Sequence, residues 1–407
     1  MSNAYREINT CEVCGNERLV PVLDLGAHPM CDDLVEIGSS RECKRYSIDI
    51  LFCETCLTAH QRFQVPKQDL FPALYHYRSR FTADVLRGMQ GLVQSCEERF
   101  GSLKGKKVLD VGCNDGSLLG FFAERGAVTI GIEPTGAATD ATGKGHAVFN
   151  DFLSEECASR VGAAHGKMDL IAFTNVFAHI ENLREVISSL RMLMAPHTVI
   201  VIENHYLGAV LNGNQFDTFY HEHPRTYSLR SFESIAQSLG TQVLSTEFPA
   251  RYGGNIRVFL GQAGAGALPP GTDVDESDFL RKFGVLSSNV GRWQASKRRA
   301  IEDLVSKHGK LRAKAFPGRA AILVQLLGLD ENHISAVHEK PGSMKIGHYL
   351  PGTRIPIHSD DELFALAPTE APLLNMAWHI SSEIRSYLAH GGYTGPVLDI
   401  LEPQDFS

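Results

Sequence analysis

Eight residues near the middle of the chain, Phe216-Asp217-Thr218-Phe219-Tyr220-His221-Glu222-His223, crowd a tyrosine, two histidines and a glutamate between aromatic side chains. That mixture suits general acid–base chemistry. A histidine with an ordinary pKa takes up a proton near neutral pH, a glutamate orients it or binds a hydroxyl, and a tyrosine donates to an enolate oxygen. The H-x-H pair alone hints at a metal, but the H-E-x-x-H spacing of a helical metal site is absent. The plainer alternative is a polar loop stitched by its own hydrogen bonds. On these residues alone Tyr220, His221 and His223 are all open as the group that takes the proton.

A second cluster of chemistry begins at Lys107. The stretch KVLDVGCNDG places the apolar run Val108, Leu109 and Val111 before a Gly-rich turn and then a helix over Ser117–Arg125. A strand feeding such a turn presents backbone N–H groups at a helix N-terminus, ready for a bulky polar ligand. The spacing is neither G-x-G-x-x-G nor a P-loop. It resembles motif I of class I methyltransferases, which holds S-adenosylmethionine through the loop Asp110, Gly112, Asn114, Asp115 and Gly116. The next apolar strand, Val128–Ile132, ends at Glu133. An acidic side chain closing the second strand suits a bidentate hydrogen bond to ribose hydroxyls. After the third strand, Asp151 and Phe152 could meet and stack beside an adenine ring. Asn175 and His179 follow the fourth strand and face the same crevice. His179 could hydrogen-bond a substrate, act as a base, or simply pack on the next helix.

A third cluster sits near the N-terminus. Cys11-Glu12-Val13-Cys14 and Cys53-Glu54-Thr55-Cys56 are two knuckles of paired thiols. Together they complete a tetrahedral zinc site with no open position, so the metal is read as structural. A segment this small buries too little to fold easily alone, and the metal would supply folding energy. His28 and His60 could ligate, but four thiolates suffice. The other five cysteines, Cys31, Cys43, Cys96, Cys113 and Cys157, show no pairing.

These side chains need elements to hold them. Residues 104–240 alternate strands and helices as in a doubly wound α/β sheet, with ligands expected beyond the carboxyl ends of the strands. Every candidate of the second cluster falls at such an end. A helix is expected over 82–100, a long charged helix over 275–307, and a third α/β part from Lys314 to Leu401. The whole chain has 407 residues and a net charge of −8, which fits two or three domains and gives no sign of a nucleic-acid binder. No apolar run reaches about 18 residues, so no membrane span is expected, and no signal-peptide core opens the chain. A cytoplasmic protein with reduced thiols is the expectation.

Taken together, the chain resembles the zinc-containing, S-adenosylmethionine-dependent sugar C-methyltransferases, which act on nucleotide-linked keto-deoxysugars. The resemblance runs over nearly the whole chain. It rests on the two cysteine knuckles, Tyr75, Tyr77 and Ser79, the loop Asp110–Gly116, the Tyr-His-Glu-His cluster from Tyr220, and the Tyr-x-Pro-Gly-Thr-x-Ile-Pro-Ile stretch from Tyr349. It implies a zinc-ribbon-like domain (1–71), a central class I methyltransferase (Rossmann-like) domain with a leading helix (72–263) and a C-terminal Rossmann-like domain that binds substrate (264–407). It also implies a base that removes a proton beside a ketone before the enolate attacks the methyl donor. Matched by motif, His223 becomes the base with Tyr220 assisting or replacing it, Glu222 and Tyr77 become substrate contacts, and His179 a crevice partner. The implied partner is a small molecule, a nucleotide sugar, and the implied assembly a monomer or homodimer. The stretches Ala315–Arg319 and Glu339–Gly347 depart from the family's usual pattern. An N- or O-methyltransferase of a non-sugar metabolite is the alternative on the same scaffold.

Overall fold

The computed structural model describes residues 5–70, 78–81, 83–263, 274–366 and 370–406. Tyr75 and Tyr77 lie outside the described residues. Three sheets of four or more strands carry the described residues. The first is antiparallel: β1 (Val20–Pro29) pairs with β2 (Arg45–Cys53), which pairs with β3 (Thr58–Gln61). The tight turn between β2 and β3 is the second cysteine knuckle.

The central sheet has seven strands. Its parallel part is β4 (Lys107–Val111), β5 (Val128–Ile132), β6 (Ala147–Phe149), β7 (Leu170–Thr174) and β8 (Val199–His205). The apolar, β-branched runs of β4, β7 and β8 are buried on both faces, as a parallel sheet between helices demands. The spatial order places β4 between β5 and β7, so the chain reverses direction across the sheet at β4. That switch point opens a crevice at the carboxyl ends of β4 and β7.

Two residues just after the Tyr-His-Glu-His run close the first sheet. The short strand β9 (Arg225–Thr226) pairs antiparallel with β3, Arg225 opposite His60. The central sheet is then completed by β10 (Gln242–Glu247) and β11 (Asn255–Gly261), with β11 antiparallel to β8.

The third sheet is wholly parallel, in the order β14 (Ile357–Ser359), β13 (Ile334–Glu339), β12 (Leu311–Lys314), β15 (Leu373–Asn375), β16 (Val397–Asp399). It is the C-terminal Rossmann-like unit, and Arg319 stands immediately before its helix Ala320–Leu326.

One helix ties the three sheets. Phe279–His308 runs for 30 residues and buries Phe279, Phe283, Leu286, Val290, Trp293, Lys297 and Ile301. Those positions recur every three or four residues, the stripe of a helix that faces apolar surface along one side. Phe283 meets Phe52 of the first sheet at 5.3 Å between ring centres. Trp293 meets Phe216 at 5.0 Å and donates its indole N–H to the Ile400 carbonyl at 3.3 Å. The charges read along this segment in sequence lie on its outer face apart from Lys297, which pairs with Asp405 at 2.9 Å, and the rest of the inner face is core. Among the described residues, no helix is long and apolar enough to cross a membrane.

Candidate active site

The metal site is built by two tight turns. The sulfurs of Cys11, Cys14, Cys53 and Cys56 all lie within 4.8 Å of one another. Cys11 and Cys56 are 3.4 Å apart, Cys14 and Cys53 3.6 Å. Zinc–sulfur bonds of about 2.3 Å in a tetrahedron set sulfurs at about this separation, so the four thiols fit zinc and leave no open position. His60 is not a fifth ligand. Its Nε2 sits 3.3 Å from the Cys11 sulfur, where it can donate to a thiolate that already serves the metal. From this knuckle Glu12 reaches Arg225, a fully buried guanidinium that also donates to the Tyr227 hydroxyl at 3.0 Å.

The second site is the Gly-rich turn after β4. Gly112 and Gly116 both adopt φ of +73°, and a Cβ on Gly112 would come within 2.6 Å of Val176. Only glycine turns the chain here without strain. Glu133 is buried at the end of β5. It accepts the Asn114 backbone N–H at 2.9 Å through one oxygen and the Thr135 N–H and hydroxyl through the other. A carboxylate has about four lone-pair positions, so acceptor capacity remains for a ligand. Asp110 lies behind it, its carboxyl held well above the usual carboxylate range by burial and by the neighbouring Glu133 charge.

Asn114 and Asp115 have a different occupation from a direct ligand contact. Asn114 Oδ1 accepts the Ser79 backbone N–H at 3.0 Å, and Asp115 Oδ2 accepts that of Arg80 at 3.1 Å. The segment that follows Tyr77 is thereby docked on the Gly-rich turn. Asp151 forms an exposed ion pair with Arg160, and the Phe152 ring lies under Lys67 Nζ at 4.6 Å. Asn175 adopts φ of 55° beyond β7, within 3.4 Å of Asn255.

The acid–base cluster lies beyond the carboxyl ends of β7 and β8, next to that turn. Three histidines meet there. His223 stands 4.8 Å from His179 and 5.4 Å from His205 between ring centres, and Tyr220 covers its other side at 4.3 Å. His223 Nδ1 is 2.9 Å from the Thr218 carbonyl, and His179 Nδ1 is 2.6 Å from the Glu222 carbonyl. A carbonyl only accepts, so the His223 ring carries its proton on Nδ1 and keeps the lone pair on Nε2, whereas His179 also faces a second backbone carbonyl, that of Asn175. Burial, with the other two histidines, pushes His223 well below the ordinary histidine range. Burial brings His179 to about 4 against the pull of the Glu222 and Asn175 carbonyls, and burial with the Arg319 and His179 charges brings His205 to about 3. The rings are therefore neutral near pH 7. Tyr220 is pushed in the opposite direction, by burial and by Glu222 and Cys31, so its hydroxyl stays protonated and can act as a donor.

His221 turns away from this group. Its Nε2 bonds the Tyr46 carbonyl at 3.0 Å and its ring packs on Tyr46 at 5.8 Å. It holds the loop to the first sheet, as does Gln61, whose backbone N–H donates to the Pro224 carbonyl at 2.9 Å.

Three members of the site were not singled out from the sequence as site residues. His205 ends β8, which runs two residues past Glu203 because it pairs with β11 as far as His205 opposite Asn255. The strand-end rule that selected Glu133 and His179 would have found it with that boundary. Arg319 and Trp378 come from the C-terminal unit, and their bonds to Asp217 carry no local signal.

Comparison with known proteins adds three family matches in chain order. Residues 11–71 match a family described as "Putative zinc binding domain". Residues 81–246 match a methyltransferase domain, and residues 252–395 a C-methyltransferase C-terminal domain. The chain is 27% identical over 425 residues to the C-methyltransferase NovU of Streptomyces niveus, covering 100% of this chain and 99% of that protein. A ubiquinone biosynthesis O-methyltransferase of Acinetobacter baumannii is 32% identical over 108 residues, 25% of this chain and 44% of that one. Among solved structures, magnesium protoporphyrin IX methyltransferase from Synechocystis PCC 6803 with bound SAH aligns over 44% of this chain and 84% of its own, at 17% identity and a TM-score of 0.36.

Proposed function

Since the chain belongs to the zinc-containing, S-adenosylmethionine-dependent C-methyltransferases, we propose that it deprotonates a carbon beside a ketone and methylates the resulting enolate, on a nucleotide-linked keto-deoxysugar. One observation carries this reading: the His223 bond to the Thr218 carbonyl, which leaves the Nε2 lone pair on a ring packed against Tyr220 at 4.3 Å between ring centres. A base and an oxyanion donor side by side are what enolate formation requires.

Bound S-adenosylmethionine supplies an electrophilic methyl carbon. In this proposal Asp110, Gly112, Asn114, Asp115, Gly116, Glu133, Asp151, Phe152 and Asn175 form its cradle. Glu133 takes the ribose, and Asn114 and Asp115 act by fixing the turn and the segment docked on it. His223 Nε2 takes the proton from the acceptor carbon. Tyr220 donates to the ketone oxygen as negative charge grows there, His179 lines the crevice, and Glu222 and Tyr77 contact the acceptor's hydroxyls. Transfer itself needs mostly in-line placement of carbon and methyl. Cys11, Cys14, Cys53 and Cys56 hold zinc as a structural ion, and residues 264–407 supply the acceptor side of the cleft. A cytoplasmic setting suits nine cysteines that form no disulfide among the described residues.

The test is a calorimetric titration with S-adenosylmethionine followed by mass-spectrometric screening of nucleotide-linked keto-deoxysugars. Donor binding and a sugar gaining one methyl on carbon support the reading. Donor binding with methyl found only on oxygen or nitrogen of an acceptor would replace it with the alternative chemistry.

A further inference from the structure

We propose that Arg319, from the C-terminal Rossmann-like unit, is a positioning residue for His223 and acts on it through Asp217. This rests on His223 being the base. Thr218, whose carbonyl takes the His223 Nδ1 proton, belongs to a single 3-10 turn, Phe216–Thr218. Such a turn has poor hydrogen-bond geometry and little stability of its own. Its internal bonds are few: Thr218 donates its N–H and its hydroxyl to the Gln215 carbonyl at 3.0 and 2.7 Å. Where the Thr218 carbonyl points is therefore decided by what grips the turn from outside.

The grip comes from the C-terminal unit. Asp217 is fully buried at the centre of the turn. Its two oxygens accept Arg319 Nε at 2.8 Å and Nη2 at 2.5 Å, a two-pronged bond that fixes direction as well as distance. Trp378 Nε1 adds a third donor at 2.8 Å, and the Arg319 guanidinium lies 5.1 Å over the Trp378 ring. Arg319 also reaches Gln215 Oε1 at 3.4 Å, at the start of the same turn. Arg319 precedes the helix Ala320–Leu326, and Trp378 follows β15, so both belong to the third sheet's unit. A buried ion pair of this kind is weak evidence for stability, and its best-attested use is to fix one arrangement over others. Here the arrangement fixed is the carbonyl that sets the His223 tautomer. The C-terminal unit thus does more than face the acceptor: its seating decides whether the base presents Nε2 to the cleft.

The test reads the tautomer directly and needs no acceptor, so it stands apart from the question of what is methylated. The full-length zinc-loaded protein is labelled with 15N-histidine, and long-range 1H–15N spectra assign His223 by its loss in His223→Asn. The wild type is expected to show His223 as a neutral ring protonated on Nδ1. In Arg319→Gln the His223 signals are expected to shift toward a mixture with the Nε2-protonated form. Trp378→Phe keeps a ring and deletes one donor; it is the variant to read if Arg319→Gln fails to fold, and a smaller shift in the same direction is expected. With an acceptor from the sugar panel, kcat for Arg319→Gln is expected to fall about a hundredfold while the donor Kd is unchanged, the scale of a misplaced catalytic group. An unaltered Nδ1-protonated His223 in a folded Arg319→Gln, or in Trp378→Phe if that is the variant read, overturns the proposal.

Discussion

His179 and His223 lie 4.8 Å apart between ring centres, their planes tilted by 55°, and each sets its Nδ1 against a backbone carbonyl. Neither ring can rotate without losing that bond, so the His223 Nε2 lone pair is held in a fixed direction at the carboxyl end of the central sheet, while His179 also bonds the Asn175 carbonyl. The two rings differ in what stands beside them. Only His223 also touches Tyr220.

That difference predicts unequal losses. His223→Ala removes the proposed base and is expected to lower kcat by about 10²–10⁴-fold, the usual contribution of a positioned base. His179→Ala is expected to lose less. Both variants should bind S-adenosylmethionine with wild-type affinity by calorimetry, because neither belongs to the Gly-rich turn. Equal losses in the two would remove the special role of His223.

Tyr220→Phe separates donor from base. The hydroxyl is held protonated by burial and by Glu222, so its removal deletes one hydrogen bond to a growing oxyanion. A loss of about 10²–10³-fold in kcat is expected, the scale of one oxyanion donor. It should fall in enolate formation, read as slower exchange of the acceptor's acidic proton with solvent.

Gly112→Ala tests the cradle. A side chain at φ of +73° is strained and its Cβ would sit 2.6 Å from Val176. The left-handed conformation costs about 1–2 kcal/mol, and the clash moves the turn away from its ligand. Donor Kd is expected to rise about tenfold or more, since 1.4 kcal/mol is one decade. Unchanged donor affinity would place the cofactor elsewhere.

The zinc knuckles should matter to catalysis without touching the acceptor. β9 carries Arg225 two residues after His223, and its buried guanidinium is bonded to Glu12 of the first knuckle. Arg225→Met leaves that carboxylate without its main cation. Breaking a buried pair costs about 3–5 kcal/mol, and the lower end applies because Arg6 and Gln64 still reach Glu12. A lowered Tm is expected. Stripping zinc with a chelator should abolish methyl transfer along with it, by releasing the strand that carries the acid–base loop.

His221 gives a pH signature. Burial lowers its pKa to about 4 in the folded chain, against an ordinary value near 6.5. Between those values the unfolded chain binds more protons, so stability falls as pH drops from 6.5 toward 4. His221→Gln removes that titration. The variant should be less stable than wild type at pH 7.5, by about 1 kcal/mol for the lost bond to Tyr46. The gap should close toward pH 4.5. A gap that widens on acidification would contradict the neutral, buried assignment.

The parts of the site that could be read from sequence are the local ones. Cys-x-x-Cys knuckles and a Gly-rich turn are defined within a few residues, because a tight turn fixes its own side chains. The order of strands brought Glu133, Asn175 and His179 to one end of a sheet by a rule of topology. His205 escaped because the apolar run stops at Ile202, whereas pairing with β11 carries the strand through His205. The link from Asp217 to Arg319 spans 102 residues and depends on how two units dock, which no spacing reports. The separation of His221 from His223 was equally hidden: both lie in one polar run, and only the contact with Tyr46 turns one ring outward.

The most direct measurement follows the acceptor proton itself. A nucleotide-linked keto-deoxysugar would be incubated in deuterium oxide with the enzyme and S-adenosylhomocysteine, so that carbon-bound deuterium appears without methyl transfer. The account predicts deuterium at the carbon beside the ketone with wild-type enzyme, slower entry with Tyr220→Phe, and none above background with His223→Ala. Wild-type rates of exchange in His223→Ala would contradict it and move the base to another residue.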